Sequence, residues 1–491
     1  MLLARRLDLL PDPENAFVHL YGASPDAFWL DGSATGERGR FSFLGDAGGP
    51  LGAVVAYDVK RGEVSLSRGG RVEIRDESIF DFLAWQTAEW GASLGSARVE
   101  GIDELPFDFE CGFAGYLGYE LKAECGGLPA HRASTPDAAF VLADRLIAFD
   151  HQENQTYLLA LTASTEVHQL VHPAGVEVDA VGAGEAWIEE TGQRLAELPA
   201  PAEPVVGRSP SFALQRSQER YRDDVEACRR YLTAGDSYEI CLTNRAETKG
   251  AMEPLDLYRM LRRANPAPFS AYLRFGELAV LSSSPERFLA VDRDGWAETR
   301  PIKGTSRRGE TTEEDARLAA QLGVGAKYRA ENVTIVDLMR NDLGRVCAVG
   351  SVGVPELMRV ETYETLHQLV SSVRGRLRPD VSAPEAVRAC FPPGSMTGAP
   401  KLRTMEIIDE LEGAARGVYS GAVGWFGLGG TCDLSVAIRT IVLDGERISV
   451  GAGGAVVLDS DPEDEFEEML LKARAPLSAF GSTADILPLP T

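Results

Sequence analysis

Gly429-Gly430 separates two strand-length apolar runs, residues 422–428 and 433–443, and a third run follows at 448–458. Paired glycines take the positive-φ positions of a tight hairpin, so runs joined this way fold as antiparallel neighbours. Residues 278–282 and 288–292 read as strands in the same way, and so, nearer the start, do 41–44, 52–57, 113–118 and 156–161. Helical patterns interrupt them at 79–90, 221–232, 327–346 and 462–475. Strands and helices mixed in this order predict an α+β, sheet-rich fold with antiparallel sheets and outer helices. At 491 residues the chain exceeds what a single core supports. The Pro-rich stretch Leu198-Pro199-Ala200-Pro201 supplies a linker or exposed crossing. The expected division is an N-terminal region at 1–195, a linker at 196–212, a catalytic unit at 213–480 and a tail at 481–491.

Lys and Arg number 49 against 74 Asp and Glu, a net charge of −25. Such a surface repels phosphate backbones and anionic membranes, which argues against a nucleic-acid role. An anionic substrate would need a locally basic pocket. No apolar run reaches membrane-spanning length, and no apolar stretch follows Arg5 and Arg6, so neither a span nor a signal peptide is expected. The seven cysteines are scattered and contain no C-x-x-C pair, which fits reduced thiols in a cytoplasmic protein. Five of the six histidines lie in the first 172 residues, and only His367 lies beyond. A histidine-based nucleophile or metal site in the C-terminal half is therefore disfavoured, and carboxylates, lysines and arginines must carry any chemistry there.

Four segments could do so. Pro462 opens a helix whose Phe466, Met469, Leu470 and Ala473 form an apolar stripe. Glu465, Glu468 and Lys472 share a second face, able to bind a hard cation with an anionic ligand, or else forming a solvated face with an i,i+4 pair. In the 327–346 helix Val333, Val336, Met339, Leu343 and Val346 form the expected buried stripe, and Glu331 could complete a magnesium site. Two Gly-rich loops, 391–401 and 451–455, allow close approach of backbone N–H groups to an anion, or are simply tight turns. Neither matches a nucleotide-binding motif. Lys303, among Arg300, Arg307 and Arg308, would feel cationic neighbours that favour a neutral, nucleophilic amine, unless the segment is only a basic turn.

The motifs occur together and in order. They are Ser284-Pro285-Glu286-Arg287-Phe288, Pro301-Ile302-Lys303-Gly304-Thr305, residues 337–345, Leu369-Val370-Ser371, residues 394–401, residues 419–424, Ala437-Ile438-Arg439-Thr440 and residues 465–472. With them, about half of the chain resembles the chorismate-utilising enzyme family. Residues 28–33 and 40–45 resemble the family's N-terminal region more weakly. The resemblance implies a large two-subdomain fold like that of anthranilate synthase component I. Within the family, that branch carries alanine where Lys303 stands, whereas the aminodeoxychorismate synthase component I branch carries Pro-Ile-Lys-Gly-Thr. The implied reaction therefore converts chorismate and ammonia to 4-amino-4-deoxychorismate, on the route to p-aminobenzoate and folate. The alternative is an anthranilate synthase component I, which would release pyruvate.

By the same resemblance Lys303 is the nucleophile at ring carbon C2 and Glu286 is the acid that expels the C4 hydroxyl. Mg2+ is held by Glu331 and Glu468, with Glu465 in support. Lys472, Arg439, Tyr419, Thr305 and backbone near Gly453 meet the substrate. Tyr328 stands where many relatives carry a further acidic residue, and Gln368 stands where the pyruvate-eliminating members carry histidine. Ala123-Glu124-Cys125-Gly126-Gly127 only approximates a glutaminase elbow, so a separate glutamine amidotransferase subunit is expected to supply ammonia. Intact Glu286, Lys303, Glu331 and Glu468 weigh against a non-catalytic binding subunit. The 28–33 segment with Arg40 resembles an amino-acid pocket of relatives, and reads first as core.

Overall fold

The computed structural model describes residues 2–32, 39–93, 98–100, 104–162, 180–205, 207, 210–363, 366–481 and 486–487. Ser33, three positions of the linker and most of the tail lie outside the described residues. Among those described, two large sheets carry the fold, one of fourteen strands and one of twelve.

Across its middle, the first sheet runs in the order Glu239–Lys249, Arg447–Val456, Thr440–Asp444, Leu278–Ser284, Phe269–Phe275, Asp26–Asp31, Phe41–Asp46, Arg145–Asp150, Gln155–Leu161 and Leu2–Leu7. The second begins Ile302–Arg307, Leu366–Arg376, Trp296–Arg300, Arg287–Val291, Cys432–Val436, Ala422–Gly427, Gly112–Leu117 and Ala138–Ala143. Regions 1–195 and 213–480 thus share both sheets. Asp26–Asp31 pairs antiparallel with Phe269–Phe275, and Gly112–Leu117 with Ala422–Gly427.

The core has two layers. Phe28 and Phe43 of the first sheet meet Phe113, Phe140 and Phe426 of the second in one buried cluster. On the other face of the first sheet, Ile240, Leu242, Ile448 and Val450 pack with Tyr221, Phe466 and Met469 from helices Gln218–Ala234 and Pro462–Leu477. Each fully buried side chain of this kind contributes roughly 1.5–3 kcal/mol. Helix Pro462–Leu477 is started by Asp461, whose carboxylate accepts from the N–H groups of Glu463 and Asp464.

Three details depart from the pattern in the sequence. The 433–443 run is two strands: Cys432–Val436 belongs to the second sheet and Thr440–Asp444 to the first, and the chain crosses between them at 437–439. The Gly-rich 451–455 segment is no loop but the middle of strand Arg447–Val456, paired along Glu239–Lys249. In helix Ala326–Gly344 the inward stripe passes through Asn332 and Ile335 instead of Val333, which is 52% exposed. Asn332 is drawn inside because its Oδ1 accepts a 2.6 Å hydrogen bond from Ser371, so a polar side chain takes a core position.

Candidate active site

A cavity of about 770 Å³ opens where the two sheets and the helices Ala326–Gly344 and Pro462–Leu477 converge. Glu286, Lys303, Thr305, Glu331, Tyr419, Arg439, Gly453, Glu468 and Lys472 all line it. The segments carrying them are up to 186 positions apart in sequence (Glu286 to Lys472), so only the sheet crossings bring them together.

Lys303 is delivered by a bulge. Ile302 pairs with Val370 and Thr305 with Gln368, so two residues, Lys303 and Gly304, stand opposite one, Leu369. Such a bulge re-aims a side chain at the sheet rim. Gly304 makes it possible with φ +94°, and a Cβ there would fall 2.9 Å from the Tyr328 ring. Lys303 is buried, and its Nζ donates a 2.7 Å hydrogen bond to Glu239 Oε1. Burial alone would push its ammonium down, but Glu239 and Glu331 more than offset this and hold it above the ordinary lysine value. The expected cationic neighbourhood is therefore corrected. Arg300 pairs with Glu356 and Glu361, Arg307 with Glu314, and Arg308 with Asp315. Each guanidinium has its own carboxylate, which leaves Lys303 among anions.

Glu286 immediately precedes strand Arg287–Val291 and is buried. Burial pushes its carboxyl up to about 7, against the Ser395 hydroxyl and the cations of Lys303 and Lys472. It is therefore about half protonated at neutral pH and mostly protonated below it.

Opposite, Lys472 pairs with Glu468 at 2.7 Å and donates to the Gly453 carbonyl at 3.0 Å. The solvated-face pair read from the sequence is thus present, and it faces the cavity. Glu465 does not line the cavity; it is buried behind it, accepting from Ser460 at 2.7 Å. A Cβ on Gly454 would fall 3.0 Å from Glu465 Oε2 and 3.7 Å from both Glu468 Oε1 and Lys472 Nζ, so glycine keeps this corner open. Arg439 sits at the crossing between sheets with φ +53°, a strained setting for a non-glycine residue. No carboxylate pairs with its guanidinium among the described residues, and burial lowers its pKa. The Tyr419 ring packs closely on Gly451, where a Cβ would be 2.2 Å from Cγ.

The family model for chorismate binding enzymes matches residues 57–478. The chain belongs to the chorismate-binding enzyme family. An aminodeoxychorismate synthase of Streptomyces pristinaespiralis is 49% identical over 97% of the chain, and the chain spans 65% of that protein's length. Anthranilate synthase component 1 of Synechocystis sp. is 35% identical over 96% of the chain and 94% of its own length. The crystal structure of anthranilate synthase component I from Streptococcus pneumoniae TIGR4 superposes with a TM-score of 0.72 at 30% identity, covering 89% of this chain and 92% of that one.

Membership of the chorismate-binding family accounts for the two-sheet architecture. Other cavity residues carried no signal in the sequence. Cys241 lines the cavity from strand Glu239–Lys249, which reads as ordinary core, and Ser395 from a turn. Glu239 of the same strand stands behind the cavity, reaching the site through Lys303. Behind the wall, Arg416 donates to the carbonyls of Met396 and Cys241 and pairs with Glu412, fixing two lining segments at once. Nothing local distinguishes it from a surface arginine. All seven cysteines are unpaired, and among the described residues no helix is long and apolar enough to cross a membrane.

Proposed function

We propose that this chain aminates chorismate at ring carbon C4, giving 4-amino-4-deoxychorismate, with Lys303 as nucleophile and Glu286 as general acid. The observation that carries the reading is the juxtaposition in one cavity of a buried lysine, a carboxyl with pKa about 7 and a cation, Arg439, with no carboxylate of its own among the described residues. The names of the more similar relatives support the same activity.

Arg439, Tyr419 and Lys472 are suited to one carboxylate of the substrate, with Thr305 and Gly453 at the wall. The Glu286 proton goes to the departing C4 hydroxyl, which leaves as water while the neutral Lys303 amine bonds to C2. Ammonia then bonds to C4 and the C2–N bond breaks, releasing the lysine as an amine. General acid assistance of this kind is worth roughly 10²–10⁴ in rate.

Glu331 and Glu468 would hold Mg2+. Magnesium typically takes one or two protein carboxylates plus waters and substrate oxygens. That matches two carboxylates lining a cavity whose corner at Gly454 is kept open, although among the described residues no three acidic, histidine or cysteine side chains cluster closely enough to form a closed metal site. Glu465 supports Glu468 from behind. Bound there, the ion would neutralise a substrate carboxylate. Ammonia is proposed to come from a separate glutamine amidotransferase subunit in the cytoplasm. Gln368, at the position where pyruvate-eliminating members carry histidine, lines the cavity and supports amination without elimination.

The test is product analysis with chorismate, magnesium and ammonium salt for wild type and Lys303→Ala. Aminodeoxychorismate from the wild type and none from the variant is expected. Anthranilate as the wild-type product, or full activity in Lys303→Ala, would overturn the reading.

A further inference from the structure

Lys303 is held as a cation, yet an attacking lysine must be neutral. Its ammonium has to lose a proton inside a cavity from which substrate would exclude water. The groups facing it are Glu239 and the Cys241 thiol from one strand, Glu331 from helix Ala326–Gly344, and Glu286, which also faces Lys472 of the last helix. Among the described residues Lys303 Nζ pairs with Glu239 alone, at 2.7 Å. Glu286 cannot serve, because the proposed reaction needs it to donate a proton to the leaving hydroxyl in the same step.

We propose that Glu239 is the proton acceptor that converts the Lys303 ammonium into the attacking amine and returns the proton when the lysine is released. The proposal rests on the reading of Lys303 as nucleophile. Glu239 is placed for the task. Its neighbours are pinned, since the Tyr238 N–H donates to the Ala399 carbonyl and Ser237 bonds Thr404 and the same carbonyl. The residue is 1% exposed and does not line the cavity, so its carboxylate meets the reacting space through the lysine. Among the described residues its Oε2 has no hydrogen-bond partner, which leaves an acceptor oxygen uncommitted. An N–H bond of Lys303 breaks and an O–H bond of Glu239 forms. The lone pair so exposed makes the C–N bond as the C–O bond breaks, and the Glu286 proton leaves with the hydroxyl as water. When ammonia displaces the lysine, Lys303 departs as a neutral amine and takes its proton back from Glu239.

The experiment uses the whole chain with chorismate, magnesium and ammonium chloride, comparing wild type, Glu239→Gln, Glu239→Asp and Lys303→Ala. Steady-state rates are taken across about pH 6.5 to 9.5, with mass spectrometry for a chorismate-derived adduct on Lys303. Glutamine keeps an acceptor for the lysine N–H but cannot take its proton. The expected result for Glu239→Gln is a KM within about threefold of wild type and a kcat lower by about 100-fold near neutral pH. The ratio of its kcat to that of wild type should climb with pH at unit slope, because only lysine already neutral can react and the titration of Glu286, common to both, cancels. A Glu239→Gln enzyme within about threefold of wild type, with the wild-type pH profile, would show an anchor and overturn the proposal. Should that variant not fold, Glu239→Asp decides: its carboxylate stops one methylene short, so a kcat unchanged from wild type overturns the proposal and a loss of at least about tenfold at constant KM supports it. Absence of any wild-type adduct, with full activity in Lys303→Ala, would remove the nucleophile itself and the proposal with it. An adduct in wild type with normal Glu239→Gln kinetics would overturn the acceptor alone.

Discussion

Glu286→Gln tests the electrostatics of the cavity without any substrate. The wild-type carboxyl is raised from 4.5 to about 7 by burial. Between those values the folded protein keeps a proton that the unfolded chain has given up, so stability falls as pH rises through this window and levels off above about 7. Glutamine has the same shape and no proton to lose. Each pH unit inside the window is worth about 1.4 kcal/mol, so the 1.5 units between pH 5.5 and 7 amount to ~2 kcal/mol. Urea unfolding of both proteins at about pH 5.5 and pH 8.5 should therefore show Glu286→Gln gaining ~2 kcal/mol on wild type at the higher pH. The double difference cancels the titrating groups that do not interact with Glu286. A difference under ~0.5 kcal/mol, or one of opposite sign, would refute the raised carboxyl and with it the acid role assigned to Glu286. In the activity assay the same variant should lose roughly 10²–10⁴ in kcat.

Arg439→Ala should raise the KM for chorismate by about 10- to 100-fold with a smaller change in kcat, as expected for a charge-assisted contact, and steady-state kinetics would show it. Gly304→Ala places a side chain at φ +94° and against Tyr328. It should cost about 1–3 kcal/mol by denaturation and also lower kcat, because the bulge aims Lys303. Chelation with EDTA should abolish activity and added Mg2+ restore it, and Glu468→Gln should raise the Mg2+ concentration needed for half-maximal rate. Full activity after exhaustive chelation would count against Glu331 and Glu468 as ligands.

Local sequence determined the elements and the family. The Gly429-Gly430 turn lies between two paired strands, Ala422–Gly427 and Cys432–Val436. Pro462 and its apolar stripe gave the last helix, and Glu465, Glu468 and Lys472 shared a face because helix period fixes which side chains align. The motif around Lys303 pointed to a particular branch of the family. Tertiary structure decided what period and composition do not encode. The 433–443 run changes sheet midway, and that crossing carries Arg439 to the cavity. Val333 yields its core position to Asn332 because a hydrogen bond to Ser371 is available there. Above all, the charge on Lys303 could not be read from its neighbours in sequence. Three arginines stand within five positions of it, but each is paired elsewhere, and the group that sets its state, Glu239, is 64 positions away on another strand. Electrostatic influence falls with distance in space, not along the chain, so only the packed sheets could show that the lysine stands among carboxylates.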